Sequence, residues 1–384
     1  MNIPYGRQDI TQADIDAVVA VLRSDFLTQG PAVTTFEDGV ASRVGAAYAV
    51  AVNSATSALH IACLAMGLGE GDLLWTVPNT FVASANCGRY CGADVDFVDI
   101  DPRTWNISVP ALRAKLADAR RAGRLPKIVV PVHVSGQPTD QEEIRSLSLE
   151  YGFKVLEDAS HSIGAERSGE RVGSCRWSDA TVFSFHPVKI VTTAEGGMVM
   201  TNDAELAARL RMFRSHGITR DPTRLVAESA GPWYYEQQVL GFNYRLTDMH
   251  AALGTSQLTR IDEYIARRNE LALRYDTALA GLPLMLPHVL AENRSAFHLY
   301  VVRLKSGGAR SHRAVHEALR AQGIEVNLHY MPVHLQPYYR TLGFHEGQFP
   351  ESEAYGQEAI SLPMYPALTD DAQDSVVRAL RSLL

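Results

Sequence analysis

Hydrophobic positions along the chain alternate between helical spacing and short continuous apolar runs. The first helix is predicted over residues 11–23, with Thr11 as its N-cap, and a second over 35–44. Runs rich in Val, Ile and Phe then predict strands at 47–53, 73–78, 95–101, 127–134, 153–158 and 181–186. Helices are predicted between them at 54–68, 80–91, 110–123 and 140–152. Strands that alternate with helices favour an α/β fold with a mostly parallel sheet covered on both faces.

The pattern changes after about residue 255. A long polar helix is predicted over 257–281, and two apolar runs at 298–304 and 325–330 predict a strand pair. Further helices are predicted at 310–322 and 369–384. We therefore expect two domains, a large α/β domain over 1–250 that includes an N-terminal arm, and a smaller α+β domain over 251–384.

Composition excludes several classes of protein. The net charge is -7, from 36 basic and 43 acidic residues, whereas nucleic-acid-binding proteins are typically basic. The four cysteines form no CxxC pair, so no metal site is expected, and so few cysteines favour a reducing compartment. The N-terminus lacks the pattern of a signal peptide, and no run of 18 apolar residues predicts a membrane span. We expect a cytoplasmic protein.

Three features follow predicted strands, at the sheet edge where ligands of such folds collect. Asp158 closes one strand, Lys189 follows another, and residues 53–58 (NSATSA) join a strand to a helix. Singly, each has an ordinary interpretation: the acid caps a helix, the lysine is a solvated charge, and the hydroxyl-rich run is a helix N-cap.

Together, the three features supply what pyridoxal phosphate requires. Helix N-terminal amides and hydroxyls at Ser54, Ala55 and Thr56, with Ser184, suit its phosphate. The carboxylate of Asp158 would keep the pyridine nitrogen protonated, so that the ring accepts electrons. The amine of Lys189 would form the Schiff base and carry protons.

Six spaced motifs resemble the DegT-type sugar aminotransferase family over essentially the whole chain: FLTQGP, NSATSALH, EDASHSIGA, FSFHPVKIVTTAEGG, RSHGITRD and LGFNYRLTDMHAALG. The resemblance implies the aspartate-aminotransferase fold, which is fold type I of pyridoxal-phosphate enzymes, and a homodimer with active sites at the interface. Some relatives carry histidine in place of the lysine and act as dehydratases. Lys189 places this chain on the aminotransferase side.

The resemblance also assigns roles to residues. Lys189 and Asp158 would be the Schiff-base lysine and the partner of the pyridine nitrogen, and His161 would lie near the cofactor ring. Phe81 would stack on that ring. Phosphate contacts would come from Ala55, Thr56 and Ser184, and across the dimer interface from Asn243.

These roles have structural alternatives. Phe81 could pack in the core, His161 could be a buried hydrogen-bonded histidine, and Asn243 could form a turn. Residues 195–197 (EGG) are expected to shape the turn after the lysine loop.

A narrower resemblance is to the branch of the family that works in pseudaminic acid biosynthesis. It implies L-glutamate as amino donor and a UDP-linked keto-sugar as acceptor, in two half-reactions with ping-pong kinetics. Candidate sugar or UDP contacts are Tyr5, Thr28, Gln29, Arg214, Arg220, Arg245, His329 and Tyr330. For each of these a surface or structural role, such as an interface ion pair of the arginines, is an equal alternative.

Other functions stay open or are disfavoured. The same cofactor could serve another acceptor, such as UDP-4-keto-arabinose or a dTDP-linked keto-sugar, and a non-catalytic sensor on this fold is a distant alternative. A nicotinamide enzyme is disfavoured because no GxGxxG follows a strand, and no GxxxxGK[ST] motif of a P-loop NTPase occurs.

Overall fold

A computed structural model of the chain describes residues 2–305 and 310–384. Its helices are α1 (Gln12–Leu22), α2 (Pro31–Val44), α3 (Ala55–Ala65), α4 (Ala83–Tyr90), α5 (Val109–Ala122), α6 (Gln141–Tyr151), α7 (Ala204–Arg214), α8 (Asp248–Leu258), α9 (Ile261–Leu279), α10 (His312–Ala321), α11 (Pro337–Arg340), α12 (Pro350–Glu358) and α13 (Asp370–Leu383). Short 3₁₀ turns lie at Val134–Gly136 and Val333–Leu335.

The strands are β1 (Tyr48–Val52), β2 (Leu73–Thr76), β3 (Asp94–Phe97), β4 (Ile128–Val129), β5 (Lys154–Asp158), β6 (Glu166–Arg167), β7 (Glu170–Arg171), β8 (Ala180–Ser184), β9 (Gly197–Thr201), β10 (Ile218–Thr219), β11 (Glu236–Gln237), β12 (Leu284–Met285), β13 (Asn293–Arg294), β14 (Tyr300–Leu304) and β15 (Ala359–Leu362). The helix–strand alternation predicted for the first half of the chain is therefore present.

A seven-stranded sheet forms the centre of the described structure, in the order β1-β9-β8-β5-β4-β2-β3. Strand β9 is antiparallel to both of its neighbours, and the other pairings are parallel, so six strands run in one direction. The carboxyl ends of β1, β5 and β8 consequently meet at one edge of the sheet. This edge is where a parallel sheet of this type places its ligand site.

Both faces of the sheet are buried, as the alternation of side chains along β1 shows. Val50 and Val52 pack into a cluster that includes α3 and α4, whereas Ala49 and Ala51 pack into a second cluster on the opposite face. That second cluster is closed by residues of α2, α8 and α9. Burial on both faces explains why the central strands read as continuous apolar runs.

A three-stranded sheet near the C-terminus has the order β12-β14-β15 and is antiparallel. The prediction that 298–304 pairs with 325–330 is wrong, since β14 pairs with β12 and β15. Within 325–330 only Asn327 forms a bridge, to Ser361. The run at 359–362 escaped prediction because its four buried residues include a serine and lie directly after a helix.

The long helix predicted over 257–281 is present as α9, which begins four residues later than predicted because the chain turns at Thr259–Arg260 after the end of α8. The predicted domain boundary at 250/251 falls inside α8 and stays a proposal. The N-terminal arm reaches the C-terminal sheet region, where Ile3 is buried in the same cluster as β14 and α13 and bridges Ile324. No helix among the described residues combines the length and apolar character needed to cross a membrane.

The buried carboxylate of Asp248 joins α2 to α8. Its two oxygens accept hydrogen bonds from the amides of Gly30 (2.8 Å) and Ala32 (3.0 Å) at the start of α2, whose N-cap is a glycine without a side chain of its own.

The substitution Asp248→Asn replaces one acceptor by a donor that faces an N–H group. We expect it to lower the unfolding free energy by about 1–3 kcal/mol.

Thermal and urea denaturation of the purified variants test this expectation. The matched control is Asp262→Asn. Asp262 is 71% exposed in its ion pair with Arg43, so this substitution should change the unfolding free energy by no more than about 0.5 kcal/mol. Equal effects of the two substitutions would contradict a capping role for Asp248.

Candidate active site

A cavity of about 300 Å³ opens at the carboxyl edge of the central sheet. Eleven of the residues predicted to act in catalysis, cofactor binding or substrate binding line it: Tyr5, Ser54, Ala55, Thr56, Phe81, Asp158, His161, Ser184, Lys189, His329 and Tyr330. They come from distant parts of the chain, and the sheet brings them together because strands β1, β5 and β8 end at the same edge.

Lys189 lies in the turn after β8, with its side chain enclosed by the cavity wall. Burial lowers the pKa of the Lys189 amine to about 8, because the cation loses hydration, and the carboxylate of Asp158 opposes this shift. The interpretation of Lys189 as a solvated loop charge is therefore wrong. An amine with this pKa is partly uncharged near neutral pH and can act as nucleophile and base.

Asp158, at the end of β5, is only 5% exposed, and three hydrogen bonds orient its carboxylate. Oδ1 accepts from the amide (3.1 Å) and the hydroxyl (2.6 Å) of Ser160, and Oδ2 accepts from the hydroxyl of Ser84 (2.6 Å). Ser84 is itself 2.7 Å from the hydroxyl of Thr80. Since Ser84 gives its proton to the carboxylate, Thr80 donates to Ser84, and a chain of two hydroxyls ends on Asp158.

His161 is buried and hydrogen-bonded at both ring nitrogens. Its Nδ1 accepts from the amide of Ser135 (3.3 Å), so Nε2 carries the proton and donates to the hydroxyl of Tyr330 (3.1 Å). Burial first, then the charge of Lys189, lowers the pKa of His161 well below its usual value. The ring is thus neutral, and both proposed descriptions, a buried hydrogen-bonded histidine and a site residue, apply to it.

His329 and Tyr330 also line the cavity. Burial lowers the pKa of His329 to about 4, with a smaller effect from Lys189, and Nδ1 lies 2.8 Å from the hydroxyl of Ser361. Burial raises the pKa of Tyr330, and the Asp158 charge adds to the effect. Tyr5 of the N-terminal arm contacts His329 with ring centroids 5.4 Å apart.

One end of the cavity is built from the first turn of α3. Ser54 is the N-cap, and its hydroxyl accepts from the amide of Ser57 (3.1 Å). The amides of Ala55 and Thr56 precede the first intrahelical hydrogen bond, so they are available to an anion together with the Ser184 hydroxyl. Gly197 is required beside this turn, because a Cβ there would lie 2.5 Å from the Ala55 amide nitrogen.

Phe81 is 55% exposed at the cavity, so the alternative of core packing is wrong. Its ring centroid lies 6.0 Å from that of Tyr330. An exposed aromatic face at the mouth of a polar cavity suits stacking on a planar ring.

Thr28, Arg214, Asn243 and Arg245 do not line this cavity. Arg214 forms an ion pair with Glu37 (2.7 Å) and donates to the carbonyl of Ala51. These contacts agree with a structural role, which was the alternative to a substrate contact. Asn243 is exposed in the loop before α8. The roles of these four residues, and those of Gln29 and Arg220, which also lie outside the cavity, remain predictions.

The residues that line the cavity fit pyridoxal phosphate. Helix amides with a hydroxyl lie at one end, an oriented carboxylate and an amine of lowered pKa lie inside, and an aromatic ring flanks the mouth. Sequence reasoning missed Thr80, Ser84, Ser160 and His298. The position of Ser84 one turn into the helix after β2 could have suggested it, whereas nothing in the sequence marks His298.

Among the described residues, no group of three or more His, Cys, Asp and Glu side chains is arranged to hold a metal ion. The four cysteines are free, and three of them are buried.

Comparison with known proteins gives a consistent result. The sequence profile of the DegT/DnrJ/EryC1/StrS aminotransferase family matches residues 8–381. The chain is 39% identical to the spore coat polysaccharide biosynthesis protein SpsC of Bacillus subtilis, over 100% of this chain and 97% of that protein. It is 37% identical to the GDP-perosamine synthase of Caulobacter vibrioides, over 92% of this chain and 91% of that protein.

Solved structures of similar proteins share the whole fold. PseC of Helicobacter pylori, an aminotransferase involved in the biosynthesis of pseudoaminic acid, superposes with a TM-score of 0.91 at 31% identity, over 100% of this chain and 99% of that chain. A putative sugar aminotransferase of Streptococcus pneumoniae, 27% identical over 100% of this chain and 98–99% of that one, superposes with TM-scores of 0.90 in its PLP form and 0.91 in its PMP form.

The lowered pKa of Lys189 predicts how cofactor uptake depends on pH. Only the uncharged amine attacks an aldehyde, so the rate of uptake should rise with pH and level off above about pH 8. Absorbance after mixing cofactor-free protein with pyridoxal phosphate measures this rate. In Asp158→Asn the plateau should begin at lower pH, because the carboxylate that raises the pKa is gone. A rate that still climbs at pH 10 would contradict the assignment.

The hydrogen bond of Ser84 to Asp158 predicts a second measurable effect. Ser84→Ala leaves one carboxylate oxygen of Asp158 without its donor and should weaken cofactor binding by roughly 10-fold. Ser84→Thr keeps the hydroxyl and should retain most of the affinity, and Thr80→Val should have a smaller effect because it acts only through Ser84. Spectroscopic titration with pyridoxal phosphate measures the three affinities, and wild-type affinity in Ser84→Ala would exclude the role.

Proposed function

The chain belongs to the DegT/DnrJ/EryC1/StrS aminotransferase family, and we propose that it transfers the amino group of L-glutamate to C4 of UDP-2-acetamido-2,6-dideoxy-β-L-arabino-hexos-4-ulose. The product would be UDP-4-amino-4,6-dideoxy-N-acetyl-β-L-altrosamine, in pseudaminic acid biosynthesis. Membership confirms the predicted fold type I, the pyridoxal phosphate cofactor and activity as a sugar aminotransferase. The acceptor, the donor, the homodimer and the cytoplasmic location belong to the proposal.

The observation that carries the catalytic proposal is the enclosure of Lys189 and Asp158 in one cavity that ends at the first turn of α3. Bound pyridoxal phosphate would supply an aldehyde carbon that accepts the amino group and a cationic ring that takes up the electron pair of the broken bond. Ala55, Thr56 and Ser184 would hold its phosphate, and Asp158 would face its pyridine nitrogen.

Lys189 would move protons in both half-reactions. Its Nζ takes the proton from the α-carbon of L-glutamate in the first, and delivers a proton to C4 of the sugar in the second. Burial keeps the amine partly uncharged at neutral pH, which a base requires. The neutral ring of His161 holds the hydroxyl of Tyr330 by a hydrogen bond without adding a second cation beside the amine.

Similarity to PseC over the full length of both chains supports the UDP-linked acceptor, as do the motifs that resemble the pseudaminic branch. The 37% identity to a GDP-perosamine synthase supports a second candidate, a GDP-linked 4-keto-sugar. Acceptors linked to dTDP and UDP-4-keto-arabinose remain further alternatives. Asn243 and Arg245 lie outside the cavity of a single chain, and we propose that in a homodimer Asn243 contacts the phosphate across the interface.

Product analysis tests the acceptor. Wild-type protein is incubated with L-glutamate and each of the UDP-, GDP- and dTDP-linked keto-sugars, and mass spectrometry and NMR identify the aminated product. We expect the UDP-linked 4-keto-6-deoxy-N-acetyl sugar to be aminated at C4. Amination of only a GDP- or dTDP-linked sugar would contradict the proposed acceptor. It would still agree with transfer of an amino group to a nucleotide-linked sugar.

Substitution of Lys189 tests the catalytic role. Lys189→Ala should lower turnover by roughly 10³-fold or more and should not be labelled when the cofactor-loaded protein is reduced with borohydride. Lys189→Arg is the matched control: it keeps the charge but has no amine of suitable pKa, so it should be equally inactive. Normal turnover in either variant would refute the role.

A further inference from the structure

His298 lies in the segment that enters β14, far in sequence from the other cavity residues, and it lines the same cavity. The residue is 4% exposed, and its ring centroid is 4.5 Å from that of His161. It is therefore inside the reaction centre, although none of the roles assigned so far involves it.

The backbone that carries His298 is fixed from two sides. Gly136, with a φ of 107°, lies so close that a Cβ on it would be 2.8 Å from the Phe297 nitrogen and 3.0 Å from the His298 nitrogen. On the other side the buried guanidinium of Arg268 donates to the carbonyls of Phe297 and His298, each at 3.1 Å. The position of the imidazole is consequently set by the fold.

The imidazole held there has no hydrogen-bond partner among the residues that the structure describes, and its Nδ1 is fully buried. A buried polar group without a partner costs about 1–3 kcal/mol. The neighbouring rings differ, because His161 and His329 are both hydrogen-bonded to protein groups. Nε2 is not among the fully buried atoms of this ring, so it is the atom that a ligand in the cavity can reach, and a fixed polar ring in the wall of a site suits such a contact.

The chemistry of the ring indicates which part of a ligand it contacts. Burial first, then Lys189, His161 and Arg268, lowers the pKa of His298 well below its usual value, so the ring is neutral. A neutral imidazole offers one donor and one acceptor, which match a hydroxyl or an amide. A carboxylate of the amino donor only accepts hydrogen bonds, so it would match the donor of the ring and leave its acceptor unmatched.

We propose that His298 is a specificity-determining residue that hydrogen-bonds a hydroxyl or acetamido group of the keto-sugar near its reacting carbon. The inference rests on the proposed function in that the acceptor is a keto-sugar, and it holds for any nucleotide to which that sugar is linked. The carboxylates of L-glutamate can only accept, so we expect the complete donor-and-acceptor contact in the second half-reaction.

Separate measurement of the two half-reactions tests the proposal. The first is followed by the change in cofactor absorbance when L-glutamate is added to the loaded protein. The second is followed by the reverse change when the amino form is mixed with the keto-sugar that wild-type protein converts, chosen from the UDP-, GDP- and dTDP-linked set. If wild-type protein converts another sugar of this set but not the UDP-linked one, the proposed acceptor is refuted. The test of His298 can still be made with the sugar that is converted.

His298→Phe keeps the ring volume and removes both polar atoms. We expect its second half-reaction to lose roughly 10- to 100-fold in rate at low sugar concentration, with the first half-reaction within about 3-fold of wild type. His298→Gln, which can still donate and accept, should recover a large part of the loss. An equal loss in both half-reactions, or no loss in either, would overturn the proposal.

His334→Phe is the matched control for an indirect effect through stability. His334 is also buried, also has an unpartnered Nδ1, and lies outside the cavity, where Nε2 contacts Glu353 at 2.9 Å. It should lower thermal stability and leave the ratio of the two half-reaction rates unchanged. A selective loss of the second half-reaction in this variant as well would assign the effect of His298→Phe to general perturbation and overturn the proposal.

Discussion

The site depends on placing the amine of Lys189 and the carboxylate of Asp158 in the wall of one cavity. Enclosure makes the cationic form of Lys189 costly, which brings its pKa to about 8, and Asp158 prevents a larger fall. Asp158 stays ordered because three hydrogen-bond donors from Ser84 and Ser160 point at it. The pKa of Lys189 thus depends on Asp158, and both groups need the strand ends that position them.

Three buried histidines of the cavity are neutral for the same reason. A further charge beside Lys189 would change the pKa of its amine, and burial keeps His161, His298 and His329 uncharged. The cavity can therefore present several hydrogen-bonding rings to a sugar while holding one mobile proton on one amine. This separation of roles suits a reaction in which only the base may titrate near neutral pH.

The family of the chain and its fold follow from short motifs and from hydrophobic pattern. Parallel strands buried on both faces read as apolar runs, and β5 and β8 were predicted within a few residues of their observed bounds. The smaller sheet was predicted less well. Strand β15 lies 55 residues after β14 and has no local signal for its partner, so antiparallel pairing was assigned to the nearer run at 325–330.

For the site, the sequence alone determined the chemical types: a lysine, an acid and a hydroxyl-rich helix start, each next to a predicted strand end. Local pattern suffices there because strand direction fixes the edge at which such residues meet. Only the tertiary structure decided which other side chains join them. Ser84 reaches the carboxylate of Asp158 from the first turn of α4, and His298 reaches the cavity through contacts with Gly136 and Arg268, which are distant in sequence and leave no periodic trace in it.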